Sequence, residues 1–388
     1  MVTYPKEWKE ISIGTIFSTI TDYVAAGSFA ALANNVRYLS TPNYAQLIRT
    51  RDIKAKYANR DFVYIDKEAY DFLWRVHFDS PKIIMPNIGN CGEVYYVLPN
   101  ELPSPRCALG PNAIMLSNTN SNLEFLSYVL TRSDFQNNLK DITSPSGQTK
   151  FNKTDLAKLV ITIPRRLDEQ QAIAETLSAF DEHLENLTKL IEKKRAIRDG
   201  ALEDLVTGKT RLEGFKCEWV DCKIGNILTI LHGKNQHSIE SHHGKYPILG
   251  TGGIIGRTDT FLCDWACVLI GRKGTIDNPM YMSEPFWTID TLYYSRPKPN
   301  HDPKFQYYLF CTIDWHEYTE SSGRPSLAKD VIEAIEIKVP KLEEQKAIAS
   351  ILTAMDDELI KLEHEREKIQ QIKEGAMDDL LTGNIRLV

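Results

Sequence analysis

The chain repeats itself once, at a distance too long for a solenoid. Leu167-Asp168-Glu169-Gln170-Gln171-Ala172-Ile173-Ala174 returns as Leu342-Glu343-Glu344-Gln345-Lys346-Ala347-Ile348-Ala349. Gly200-Ala201-Leu202-Glu203-Asp204-Leu205-Val206-Thr207-Gly208 returns as Gly375-Ala376-Met377-Asp378-Asp379-Leu380-Leu381-Thr382-Gly383. About 22 of about 46 positions agree between residues 167–212 and 342–387, far beyond chance, so one unit is present twice. A fainter repeat precedes each copy. Glu7-Trp8 and Ile13-Gly14 match Glu218-Trp219 and Ile224-Gly225, Ser146-Gly147 and Lys153 match Ser322-Gly323 and Lys329, and Pro164 matches Pro340. The order is globular, helical, globular, helical, with the helical parts alike and the globular parts diverged.

The helical copies carry heptads. Ile173, Leu177, Phe180, Leu184, Leu187 and Ile191 step by four and three residues in turn, as do Ile348, Leu352, Met355, Leu359 and Leu362. One helix cannot bury such a stripe alone. The available partner is the other copy, and a pseudo-two-fold between the repeats makes the pair antiparallel. Lys194, Arg198, Arg366 and Lys373 interrupt the seams, which predicts looser pairing there. Residues 342–388 hold 6 basic and 11 acidic side chains, a face suited to protein rather than DNA.

The globular parts read as mixed α/β and strand-rich. Phe62–Ile65, Lys82–Met85, Glu93–Val97, Cys267–Ile270 and Thr291–Tyr294 are short β-branched or aromatic runs bounded by turn residues. Leu123–Leu130 and Phe305–Thr312 read as amphipathic helices. Lys158–Pro164 and Ala334–Pro340 read as strands stopped by proline.

Composition excludes several classes. No run of about 18 apolar residues is present, so no membrane span is expected. Seven cysteines in 388 residues are too few, and odd in number, for a disulfide framework, and a cytoplasmic setting is expected. The net charge of −6 excludes a globally basic nucleic-acid binder but not a locally basic groove.

Motifs for chemistry fail on spacing. Gly250-Thr251-Gly252-Gly253-Ile254-Ile255-Gly256 resembles a dinucleotide loop, yet no helix pattern follows it. Asn278-Pro279-Met280-Tyr281 lacks the second proline of amino-methyltransferase motifs. Gly271-Arg272-Lys273-Gly274 has the wrong spacing for a P-loop. Cys217, Cys222, Cys263 and Cys267 lack zinc spacing, and His232, His237, His242 and His243 read as one solvated loop. No metal and no catalytic residue is assigned.

Stretches suited to DNA remain, combining Arg or Lys with amides and glycine. In the first globular part they place Arg49, Arg51, Asn87, Gln148, Lys150 and Lys153; in the second, Lys234, Asn235, Arg272, Lys273, Arg324 and Lys329. Arg holds guanine and Asn or Gln holds adenine, while Lys and glycine amides suit phosphates. Asn87-Ile88-Gly89 falls opposite Arg272-Lys273-Gly274 after similar apolar strands. Their divergence points to base reading there. The shared placement of Arg324 and Lys329, with Gln148 and Lys153 at the equivalent turn of the first part, points to phosphate.

With the repeated Leu-x-Glu-Gln-x-Ala-Ile-Ala and Gly-Ala…Asp-Leu-x-Thr-Gly segments, the chain resembles the specificity subunit of type I restriction–modification systems over essentially its whole length. The resemblance implies an α+β fold: two mixed α/β target-recognition domains joined by two long helices pairing as an antiparallel coiled coil. The parts would be residues 1–164 and 213–340 for recognition, and 165–212 and 341–388 for the helical regions. Each recognition domain would read one half of a bipartite, asymmetric site in double-stranded DNA. The helices would space the domains and dock two modification subunits, with restriction subunits joining through the complex. Catalysis, S-adenosylmethionine and ATP would belong to those partners. A stand-alone DNA methyltransferase or nucleotide-binding enzyme, and a coiled-coil scaffold without DNA affinity, are the alternatives.

Overall fold

A computed structural model describes residues 4–144, 149–319, 323 and 325–387. The chain forms two compact units, Met1–Glu185 with Glu367–Val388, and Asn186–Arg366. Each holds a globular part and a stretch of both long helices, Leu167–Val206 and Leu342–Thr382.

In the first unit an antiparallel four-stranded sheet runs in the order Thr19–Asp22, Ala113–Ser117, Lys82–Pro86, Tyr95–Val97. A three-stranded sheet has Ala45–Ile48 at its centre, antiparallel to Val63–Ile65 and parallel to Cys107–Leu109. Trp8–Ser12 pairs with Val160–Pro164. The second unit repeats this plan. Its four strands run Leu228–His232, Leu292–Pro297, Cys267–Gly271, Met280–Met282. Tyr246–Gly250 is antiparallel to Gly253–Thr258 and parallel to Trp287–Thr288. Val220–Lys223 pairs with Glu336–Val339.

The main core of the first unit packs Ile83, Met85, Ile114 and Leu116 of the sheet and Phe125 and Leu126 of the helix Leu123–Thr131 against Ile173, Leu177, Leu380 and Leu381 of the long helices. The second unit packs Val268, Ile270 and Phe305 against Leu202, Leu205, Ile348 and Leu352. Fully burying each such side chain is worth about 1.5–3 kcal/mol, so the helices owe their stability to these faces rather than to propensity.

The repeated Leu-x-Glu-Gln segment has a physical explanation in each unit. Gln170 accepts a hydrogen bond from the Asn122 amide at 2.9 Å and donates to the Pro164 carbonyl at 2.9 Å. Gln345 does the same with Asp302 and Pro340, at 2.9 and 2.8 Å. Glu169 and Glu344 are each 1% exposed. Arg386 grips Glu169, and Arg211 grips Glu344 through two bonds of 2.7 and 2.8 Å. In each unit, therefore, residues at the start of one long helix meet residues just beyond the end of the other. Gly208 and Gly383, with φ of 75° and 76°, turn the chain out of those helices, and Trp219 and Trp8 pack on them.

Several details differ from the sequence reading. Lys158 closes the helix Lys153–Lys158, capped by Asn152, so the strand begins only at Val160; Ala334 likewise closes Lys329–Ala334. Three of the four charges that break the heptads are paired: Lys194 with Glu358, Arg198 with Asp356, and Lys373 with Asp181. The helix Ser133–Asp141 has no counterpart in the expected elements.

Candidate nucleic-acid interface

Each unit builds the same seat at the end of its third sheet strand. In the second unit the Arg272 amide donates to the Thr291 carbonyl at 2.8 Å, the Leu327 amide donates to the Arg272 carbonyl at 3.0 Å, and the Gly274 amide donates to Pro325 at 2.9 Å. In the first unit Asn87 donates to Asn112 at 3.1 Å, Phe151 donates to the Asn87 carbonyl at 3.1 Å, and Gly89 donates to Thr149 at 2.9 Å. The bridges Lys273–Ser326 and Ile88–Lys150 complete the correspondence. The backbone is common to both seats, and the side chains differ.

The second unit brings Lys234, Arg272 and Lys273 to the segment Trp287–Thr291. Arg272 reaches the Asp290 carbonyl at 3.4 Å and lies beside the Tyr293 phenol, whose pKa burial pushes above its ordinary value while Arg272 opposes the shift. Gly271 is required under it, because a Cβ there would lie 1.9 Å from the Thr275 carbonyl oxygen. The Lys234 amide donates to Thr288 at 2.8 Å, and its carbonyl accepts from the Trp287 indole at 2.9 Å. Gly233 lies so close to this segment that a Cβ would sit 1.9 Å from the Ile289 oxygen. Lys234, Asn235 and Lys273 are exposed and Arg272 is half-buried. Among the described residues no carboxylate lies within 4.0 Å of Lys234, Arg272 or Lys273. Lys329 is 3.7 Å from Glu333, a carboxylate that already accepts the Ile230 amide at 2.8 Å.

In the first unit the candidate side chains are more committed. Arg49 holds the buried Asp52 through bonds of 2.8 and 2.7 Å and donates to the Asp61 carbonyl at 2.7 Å. Arg51 pairs with Asp61 and remains exposed. Asn87 donates its side-chain amide to Phe151 at 3.2 Å, and Lys153 pairs with Asp22 at 2.8 Å. Lys150 is exposed at the strand bridge. Gln148 and Arg324 lie outside the described residues. Of the helix-pairing candidates, Ile173, Leu177, Leu187, Ile191, Ile348 and Leu352 are buried, while Phe180, Leu184, Met355, Leu359 and Leu362 are half-buried.

Other motifs resolve into structure. Gly250 and Gly253 close a hairpin between two strands, with no helix after it. Tyr281 of the Asn-Pro-Met-Tyr run packs against Lys304 and Tyr307. Among the described residues no three His, Cys, Asp or Glu side chains gather as metal ligands, and no helix is long and apolar enough to cross a membrane. Sequence reasoning missed the Trp287–Thr291 segment. Its available signal was the pair of glycines, Gly233 and Gly271, that its backbone approaches.

Comparison with known proteins identifies the family. The model of the type I restriction modification DNA specificity domain matches residues 5–194 and again 216–374. A putative type I specificity subunit of Mycoplasma genitalium is 27% identical over 58% of this chain and 63% of its own length. The type I restriction enzyme MjaVIII specificity subunit of Methanocaldococcus jannaschii is 23% identical over 99% of this chain and 94% of its own. The crystal structure of the type I restriction-modification S subunit from M. genitalium shares the fold, with a TM-score of 0.66, 20% identity and 96% of both chains covered. With the domain matched twice across most of its residues, this chain belongs to the type I restriction–modification specificity-subunit family.

Proposed function

We propose that this chain is the non-catalytic DNA-recognition subunit of a type I restriction–modification complex. Its two globular parts, residues 1–164 and 213–340, each read one half of a bipartite, asymmetric duplex site. The regions 165–212 and 341–388 pair as an antiparallel coiled coil, space the readers and dock two modification subunits, through which restriction subunits join. Those partners bind S-adenosylmethionine and ATP and carry out methylation and cleavage in the cytoplasm.

The observation that carries this reading is the seat built twice on one backbone with different side chains, Asn87 in one unit and Arg272 in the other. A shared frame with exchanged tips is what two readers of different half-sites require, since phosphate contacts position a protein and base-edge contacts specify sequence. The test is a chimera in which a relative's segment replaces residues 9–155. Methylated-base sequencing of DNA from cells carrying the assembled complex should show one half-site changed and the other retained. A change in both halves, or in neither, sinks the modular reading.

A further inference from the structure

Two isoleucines stand exposed at the tip of a hairpin in the second unit. Tyr246–Gly250 and Gly253–Thr258 pair as Leu249 with Ile254 and Gly250 with Gly253, while Ile248 pairs with Gly256, so Ile255 is the extra residue of a β-bulge. In a regular strand consecutive side chains alternate between faces. The bulge breaks that alternation, and Ile254 is 65% and Ile255 49% exposed. Nothing lies within 4 Å of where side chains would stand on Gly252 and Gly253, so the tip is narrow and its protruding bulk is isoleucine.

The tip belongs to the candidate interface. Ile289 donates its amide to Leu249 at 3.1 Å, and its Cδ1 would lie 3.5 Å from a Cβ on Gly250. Lys234 and Arg272 are hydrogen-bonded to the same Trp287–Thr291 segment, whose one acidic side chain is Asp290. The corresponding place in the first unit is also informative. There Gly110 donates to Ile48 as Ile289 donates to Leu249, which sets Arg49 opposite Gly250. One unit follows this strand with arginines, the other with a glycine turn and isoleucines.

We infer that the Gly250–Gly256 hairpin enters the major groove and that Ile254 and Ile255 read thymine 5-methyl groups there. A two-stranded ribbon fits the major groove, about 12 Å wide, and not the minor groove, about 6 Å wide. The apolar feature that base edges present in the major groove is the thymine methyl. Lys234, on the neighbouring segment, holds the DNA backbone beside it.

This inference rests on the DNA-reading function proposed above, and its test separates the two. The assembled complex is titrated with a duplex carrying the site found by methylated-base sequencing, with thymines replaced one at a time by deoxyuridine. The wild type should lose roughly fourfold at one or two positions of the half-site read by residues 213–340, the scale of one buried methyl. The variant I254N/I255N should bind the thymine duplex more weakly and show no further loss with deoxyuridine. Deoxyuridine indifference in the wild type overturns the inference without any variant. Equal losses in wild type and variant overturn it too, as does a variant that fails to assemble with the modification subunits, which would make the tip a protein interface. If K273A leaves affinity and salt dependence unchanged as well, the DNA-reading function of this unit falls with it.

Discussion

Lys153 and Lys329 occupy equivalent places yet differ in what surrounds their charge. Lys153 is paired with Asp22 at 2.8 Å, whereas the carboxylate 3.7 Å from Lys329 already holds a backbone amide. Lys329 is therefore the freer phosphate ligand. In the assembled complex, K329A should weaken binding to all sequences alike and reduce the salt slope by about one unit. K153A should change the slope less. R272A should instead cost roughly 1–3 kcal/mol, concentrated at one base position. Titrations at several salt concentrations against single-substituted sites check all three. A second residue-scale effect concerns His301, whose Nδ1 is 3.3 Å from Gln345 Nε2. Burial, with help from Lys298, holds its pKa below the ordinary 6.5. The unfolded chain then binds the proton more readily, so stability from this group is present above pH 6.5 and is lost as pH falls below it. H301S, which installs the residue that the first unit has at Ser121, should flatten that pH dependence in thermal unfolding.

At the scale of elements, the long helices are held by the faces they bury and by reciprocal ends. Leu352 is fully buried in the core of the second unit and Leu177 in that of the first. L352A should cost about 2–5 kcal/mol and L177A a similar amount. Amide hydrogen exchange locates the loss: L352A should deprotect Cys267–Gly271 and Pro303–Cys311, which share its core, and L177A should deprotect Lys82–Pro86 and Leu123–Thr131. Leu177 and Leu352 are heptad positions that lie in these cores. The heptads did not foretell that the interrupting Lys194, Arg198 and Lys373 would each meet a carboxylate, because a heptad describes one helix and the partner's register decides which charges face it.

For the whole molecule, the expectation is division of labour. The purified chain, without partners, should neither methylate nor cleave duplex DNA. Assays at stoichiometric protein with S-adenosylmethionine, ATP and magnesium check this, and robust turnover would overturn the non-catalytic assignment.

What the sequence determined by itself is the duplication and the helical faces. Both are periodic, local properties: a repeated Leu-x-Glu-Gln segment or a stripe every three and four residues is visible without knowing what it packs against. The strands were legible for the same reason, although Lys158 went to a helix capped by Asn152, where a local hydrogen bond outcompeted the strand pattern, and Ala334 went to the equivalent helix Lys329–Ala334. Which parts of the candidate interface share one segment was decided by tertiary structure. Lys234, Gly250, Arg272 and Ile289 are distant in sequence, and a parallel strand pair and a few backbone hydrogen bonds bring them onto one segment. The same packing gave Arg49 and Lys153 internal carboxylates and left Lys273 without a described one, since a side chain's free charge depends on neighbours that only the folded chain supplies.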